Sequence, residues 1–168
     1  MRIFKITLMV LLFATWTARV DAKETAITKN AVYADLMGNG LFLSINYSRI
    51  FITGDKVFFS GQLGIGGVIW AALLTVPHQL TVNIGNTDGR SFFEVGAGGT
   101  FIHGTDWDTG NPDVHHFGYE LSPLIGYRFQ GHRFFLRVYI NPLIHVGGYQ
   151  FTRWVVTPMG GLSLGVAF

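Results

Sequence analysis

The sequence predicts an all-β protein, an eight-stranded antiparallel up-and-down transmembrane β-barrel behind an N-terminal signal peptide. Three observations predict it. Polar and apolar residues alternate with period two over segments far longer than the usual strand of about five or six residues. The chain is apolar, with positive mean hydropathy and only 13% charged residues, yet it has no run of about eighteen apolar residues to cross a bilayer as a helix. Its connections alternate between tight turns and longer loops, the pattern of short periplasmic turns and long extracellular loops in outer-membrane barrels.

The first 22 residues read as a secretory leader. Arg2 and Lys5 form a basic start, Ile6 to Ala18 an apolar run, and Val20-Asp21-Ala22 a small-residue cleavage site. A helix of that run reaches only about 20 Å, short of a bilayer core of about 30 Å. Without Arg2, Lys5, Arg19 and Asp21 the chain keeps nine basic and nine acidic residues. The basic balance therefore belongs to the leader and is no argument for nucleic acid. Cysteine is absent, so disulfides do not hold this small secreted domain. Closing a sheet inside lipid is another way to hold it. Lys23–Asn30 lacks any pattern and reads as a short periplasmic tail, and residues 31–168 form the barrel domain.

Turn signals divide that domain into strands at roughly 31–37, 40–51, 56–70, 76–86, 91–103, 115–130, 133–147 and 156–168. Each after the first is near or above the nine to eleven residues, approximately, that a tilted spanning strand needs. The tight turns are Thr53-Gly54-Asp55, Asn86–Arg90 and Gly131-His132. The longer connections are Ala71–Thr75, Gly104–Val114 and Gly148–Val155. Counting back from Phe168 on the periplasmic side puts every tight turn inside and every long loop outside, with both termini periplasmic. The first boundary has two readings. A two-residue hairpin at Gly38-Asn39 keeps Val32, Ala34 and Leu36 on the same face as Leu41, Leu43, Ile45 and Tyr47. A bulge inside one long strand flips the phase equally well and leaves seven strands.

The clearest ribbon is His116–Val146. Its outward set is Phe117, Tyr119, Leu121, Pro123, Ile125, Tyr127 and Phe129 on one arm, and Phe134, Leu136, Val138, Ile140, Pro142, Ile144 and Val146 on the other. Counting from Gly131-His132 pairs residue 127 with about 136. Elsewhere the outward set includes Phe59, Leu63, Ile65, Leu80, Val82, Ile84, Phe93, Val95, Leu162, Leu164 and Val166. Within lipid every backbone polar group must be satisfied by the protein, so strands that span must close. A soluble barrel would turn its polar face outward. Here one whole face of each clear strand is apolar and the other carries the charges. Aromatic residues gather toward strand ends, as in the interfacial girdles of membrane barrels.

The segments Val32–Tyr47, Phe92–Thr100, Gly126–Phe129, Phe134–Pro142 and Pro158–Phe168 resemble the small outer-membrane β-barrel proteins of Bacteroidetes-type bacteria. More distantly they resemble the eight-stranded OmpX, OmpA and opacity-protein barrels. The resemblance covers nearly all of the chain after the leader. It implies an outer-membrane location, and a terminal strand ending in Phe168 that looks like the signal read by the barrel-assembly machinery. It implies little about activity. The apolar stretch Trp70–Leu74 departs from the polar loop usual in such barrels.

The inward positions carry an expected interior polar network of Asp35, Glu94, His116, Glu120, Arg128, Arg137 and His145. Buried charges must be paired or hydrogen-bonded, so a structural plug is expected, with a narrow ion path or ligand site as the functional alternative. An eight-stranded interior leaves little open lumen. A second set, His103, Asp106, Trp107, Asp108 and Asp113, lies on or beside the 104–114 loop. Carboxylates suit hard cations and histidines suit zinc or copper. The spacing only faintly resembles a calcium loop and lacks its closing Glu, so no metal is assigned. Trp107 at an exposed tip can instead meet lipopolysaccharide or a surface ligand.

Ser44 and Ser122 face inward, but no local motif joins either to a histidine base. There is no phosphate loop, zinc motif or dinucleotide fingerprint, and no cofactor is expected. The expected role is an integral outer-membrane barrel with a structural, envelope or surface-interaction task and no catalysis. A lipid-modifying enzyme and a narrow channel are the alternatives.

Overall fold

The computed structural model describes residues 27–68, 73–86, 89–105, 115–150 and 154–168. The expected leader at residues 1–22, most of the segment between it and β1, and Asp106, Trp107, Asp108 and Asp113 lie outside the described residues. Eight antiparallel strands follow one another: β1 (Asn30–Met37), β2 (Leu43–Thr53), β3 (Val57–Val68), β4 (Leu73–Ile84), β5 (Ser91–Thr105) and β6 (His115–Gln130). β7 runs as Phe135–Ile140 and Leu143–Gly148, and β8 as Val156–Thr157 and Gly160–Ala167. The two interruptions fall at Pro142 and Pro158, which have no N–H for a ladder bond. The neighbouring Asn141 N–H, donating to the Met159 carbonyl at 2.9 Å, keeps β7 and β8 joined there.

Each strand pairs with its successor, and β1 pairs with β8 from Ala31 opposite Ala167 to Met37 opposite Gly161. The sheet is therefore a closed up-and-down barrel with no free edge. The start of β1 and the end of β8 lie at the rim where β2 meets β3, β4 meets β5 and β6 meets β7. The 38–42 turn and the strand ends at Val68, Leu73, Thr105, His115, Gly148 and Val156 share the opposite rim.

Faces follow the period-two pattern. Ile45, Leu63, Leu80, Phe117, Ile125, Val138, Ile140, Leu162, Leu164 and Val166 are exposed on the outside, while Asp35, Glu94, Arg128 and Arg137 are buried inside. This reverses the usual soluble arrangement, in which buried charge is rare and exposed apolar patches are small.

Four expectations differ from the structure in detail. β1 and β2 do form a hairpin, which makes eight strands. Its connection is a five-residue turn around a short 3-10 segment (Gly38–Gly40), with Leu36 opposite Leu43. Leu41 was expected to face out with Leu43. It is 2% exposed, because the turn folds into the mouth and Leu41 packs on Val68, Leu73, Ile102 and Leu143. β4 begins at Leu73, inside the stretch expected to be loop; Leu73 is apolar because it joins that same cluster. Finally, Tyr127 pairs with Val138 and Phe129 with Leu136. The turn after β6 uses 131–134, with Gly131 N–H donating to the Phe134 carbonyl, and the longer turn shifts the register by two.

The terminal rim is also closed. Ile27, within the stretch that lacks a sequence pattern, packs on Ile50, Phe58 and Phe92. The Gln130 amide donates to the Thr28 carbonyl at 2.5 Å, and the Ile50 N–H to the Lys29 carbonyl at 2.8 Å.

Candidate functional site

Between the two apolar plugs the lumen holds a layer of charge. Alternation aims Asp35 from β1, Glu94 from β5, Arg128 from β6 and Arg137 from β7 into the same space. In register, Arg128 stands directly opposite Arg137, and Ser163 lies between Arg137 and Asp35 on adjacent strands. Two guanidinium groups side by side repel, so carboxylates must sit among them.

Arg137 meets them in several directions. Its Nη2 donates to Asp35 Oδ2 at 3.4 Å, its Nη1 to Gln62 Oε1 at 2.6 Å and its Nε to Ser163 Oγ at 3.2 Å. Asp35 is held further by the Tyr139 hydroxyl, donating to Oδ2 at 2.6 Å, and by the Ser163 hydroxyl, donating to Oδ1 at 2.8 Å. The Tyr33 hydroxyl donates to Gln62 Oε1 at 2.6 Å. Arg128 donates from Nη1 to Ser60 Oγ at 2.8 Å and from Nε to Gln130 Oε1 at 2.9 Å. Glu94 Oε1 lies between the two arginines, 3.6 Å from Arg128 Nη1 and 3.8 Å from Arg137 Nη1. Those are ion-pair separations, too long for direct hydrogen bonds. With two acids and two arginines, the layer is neutral.

Aromatic rings sandwich both guanidinium groups. The Arg128 guanidinium carbon is 5.4 Å from the Phe58 ring centre and 5.0 Å from that of Phe135. That of Arg137 is 5.3 Å from Tyr33 and 4.3 Å from Tyr139. Phe135 stacks on Tyr33 with centres 4.5 Å apart. The order Phe58, Arg128, Phe135, Tyr33, Arg137, Tyr139 is a continuous column of cation–π and stacking contacts. Glycines make room for it. A Cβ on Gly38 (φ +73°) or Gly161 would strike the Tyr139 ring.

Above the column, Thr100 and Thr75 donate to the carbonyls of Asn39 (2.6 Å) and Gly40 (3.2 Å), and the Asn141 amide donates to Asn39 Oδ1. These bonds pin the inward turn.

The seven residues expected to form one network fall into separate places. Asp35, Glu94, Arg128 and Arg137 come together. Glu120 and His145 form a second pair nearer the loop rim, directly opposite in register with Nδ1 and Oε1 3.3 Å apart. His116 stacks on Tyr149 at 5.8 Å. Of the loop set, the described His103 faces outward and packs on Phe117 with ring centres 4.6 Å apart.

Sequence reasoning passed over the column's neutral members Tyr33, Phe58, Gln62, Phe135, Tyr139 and Ser163. Their signal was only that they occupy inward positions. No described histidine hydrogen-bonds to Ser44 or Ser122; Ser44 Oγ accepts from the Asn46 amide at 2.8 Å. No group of three or more metal-ligating side chains occurs among the described residues.

A closed eight-stranded barrel with this filling can be set beside known structures. The crystal structure of the N-terminal β-barrel domain of Pseudomonas aeruginosa OprF matches with a TM-score of 0.56 and 14% sequence identity, covering 86% of this chain and 98% of that one. The chain has the OprF barrel fold. No family model and no curated protein matches it. The OprF-type barrel agrees with the expected up-and-down architecture in strand number and closure.

Proposed function

We propose that this protein is an integral outer-membrane β-barrel with a structural, envelope or surface-interaction role and no catalysis. The observation that carries the reading is the inversion of its two faces. Leu80, Ile45, Phe117, Val138 and Ile140 stand exposed around a sheet with no open edge, and a neutral charge column fills the inside. Such a surface suits hydrocarbon, and a sheet without edges meets the requirement that no backbone group be left unpaired in lipid. Both termini and the tight turns belong on the periplasmic side, by analogy with the short-turn rims of outer-membrane barrels.

The outer surface is expected to contact membrane lipid and lipopolysaccharide. The last strand, ending in Phe168, is the expected contact with the barrel-assembly machinery, and the 104–114 loop is the expected place for a surface ligand. A channel role is disfavoured by three successive fillings of the lumen: the Ile27 cluster, the charge column and the inward 38–42 turn.

The test has two arms. Refolded into lipid vesicles, the protein should migrate differently on gels before and after boiling; one unchanged band position refutes a closed membrane barrel. Cells lacking the protein should show an altered envelope-stress response with an unchanged lipid A acyl pattern. A changed acyl pattern overturns the non-catalytic reading.

A further inference from the structure

The outer face is not uniformly ridged. On β2–β5 it carries a shallow trough of about 400 Å³, lined mainly by Tyr47, Gly61, Leu63, His78, Leu80 and Ala97. The register explains it. Gly61, Leu80 and Ala97 are direct cross-strand neighbours, so Leu80 stands between two positions with little or no side chain of their own, with the edge of the Phe51 ring beside Gly61. His78 forms part of the wall with both ring nitrogens engaged, Nε2 3.1 Å from the Tyr119 hydroxyl and Nδ1 3.5 Å from the Val76 carbonyl.

A cation stands in register with this trough on the adjoining strand. Arg49, on β2, lies directly opposite Gly61 of β3 on one side and Asn30, the first residue of β1, on the other. It is exposed on the outer face at the terminal rim, and no described residue ion-pairs with it. The Tyr47 hydroxyl, donating to Asn30 Oδ1 at 2.7 Å, anchors the same rim, where interfacial tyrosines belong. Lys29, Lys56, Arg90 and Arg133 are exposed at this rim too, against a described acid at Asp55 and, in sequence, Asp88 in the connection between β4 and β5. The rim is therefore electropositive, and the long-loop side carries Asp106, Asp108 and Asp113 in sequence.

Resting on the membrane reading above, we propose that the outer face of β2–β4 holds one anionic glycerophospholipid of the terminal-side leaflet, its phosphate on Arg49 and one acyl chain in the trough beside Leu80. Charge complementarity selects the occupant. An apolar trough alone accepts any acyl chain, whereas a cation on the adjoining strand favours a chain whose headgroup carries net negative charge. Arg49 can reach that headgroup while its aliphatic stem stays along the apolar wall. The trough suits one chain rather than a whole lipid.

The full chain, refolded and shown to be heat-modifiable, is placed in nanodiscs of phosphatidylcholine with a minor fraction of phosphatidylglycerol. Native mass spectrometry then reads the lipid that remains bound. The wild-type protein should retain one phosphatidylglycerol in preference to phosphatidylcholine. Arg49→Gln should lower that preference about fivefold, the ratio expected for one basic residue at an anionic surface. Gly61→Leu, and Ala97→Phe as a second filling variant clear of Phe51, should reduce retention of both lipids. Equal retention of the two lipids by the wild type, or unchanged retention in folded filling variants, overturns the proposal. Preferential retention of lipopolysaccharide in a parallel competition overturns the glycerophospholipid assignment. Absence of heat-modifiable mobility in the wild type is a separate result that refutes the membrane reading itself.

Discussion

Replacing Arg137 with methionine tests the central column most directly. Methionine keeps much of the volume and removes the charge and every donor. The substitution deletes the hydrogen bonds to Asp35, Gln62 and Ser163 and two ring contacts, that to Tyr139 at 4.3 Å being the closer. Breaking a buried ion pair from one side typically costs about 3–5 kcal/mol, because the remaining charge is left buried. Here Asp35 keeps the Tyr139 and Ser163 hydroxyls at 2.6 and 2.8 Å, which places the cost near the lower end, about 3 kcal/mol. Asp35→Asn should cost less, about 1–3 kcal/mol, because Arg137 keeps Gln62, Ser163 and Glu94. The double variant should be more stable than the sum of the two single effects predicts, with a coupling of about 1–3 kcal/mol. Urea unfolding in lipid vesicles, followed by tryptophan fluorescence and gel mobility, measures all three. A loss below about 1 kcal/mol for Arg137→Met, or strict additivity, refutes the claim that this pair is coupled in the folded barrel.

Other outcomes follow from the same geometry. Tyr139→Phe removes the hydroxyl on Asp35 and should cost about 1.5–3 kcal/mol in the same unfolding assay, the range for a hydrogen bond to a charged group. Asn39→Ala deletes the side-chain bond from Asn141 but leaves the Asn39 carbonyl for Thr100; the expected loss is about 1 kcal/mol, and proteolysis at 38–42 should speed up. Ile125→Arg places a charge on the exposed face of β6 between Val95 and Ile140. It should lower folding stability in vesicles by about 2–4 kcal/mol; an unchanged equilibrium argues that this face does not meet lipid. Planar-bilayer recordings of the wild type should show no steady conductance, and a stable open level would contradict a filled lumen.

The amino-acid sequence by itself determined which face the residues of the clear strands take and which connections share a rim, and it left the strand number open between seven and eight. Alternation is local: successive side chains point to opposite sides of a strand whatever the strand pairs with. Asp35, Glu94, Arg128 and Arg137 could thus be read as inward from their own segments. The tertiary structure decided who meets whom. Asp35 and Arg137 are 102 residues apart in the chain, and they come together only because β8 pairs with β1 and sets Ser163 between them. Glu120 and His145 carry the same kinds of charge on the same inward face, yet pair with each other, because register places them elsewhere along the axis. Leu41 and Leu73 show the same limit: each is an apolar residue in a turn region, and only the inward fold of the 38–42 turn turns them into core. Strand register and barrel closure are sums over every turn in the chain. A two-residue difference at the 131–134 turn displaces every neighbour across the lumen, while leaving the face of each residue unchanged.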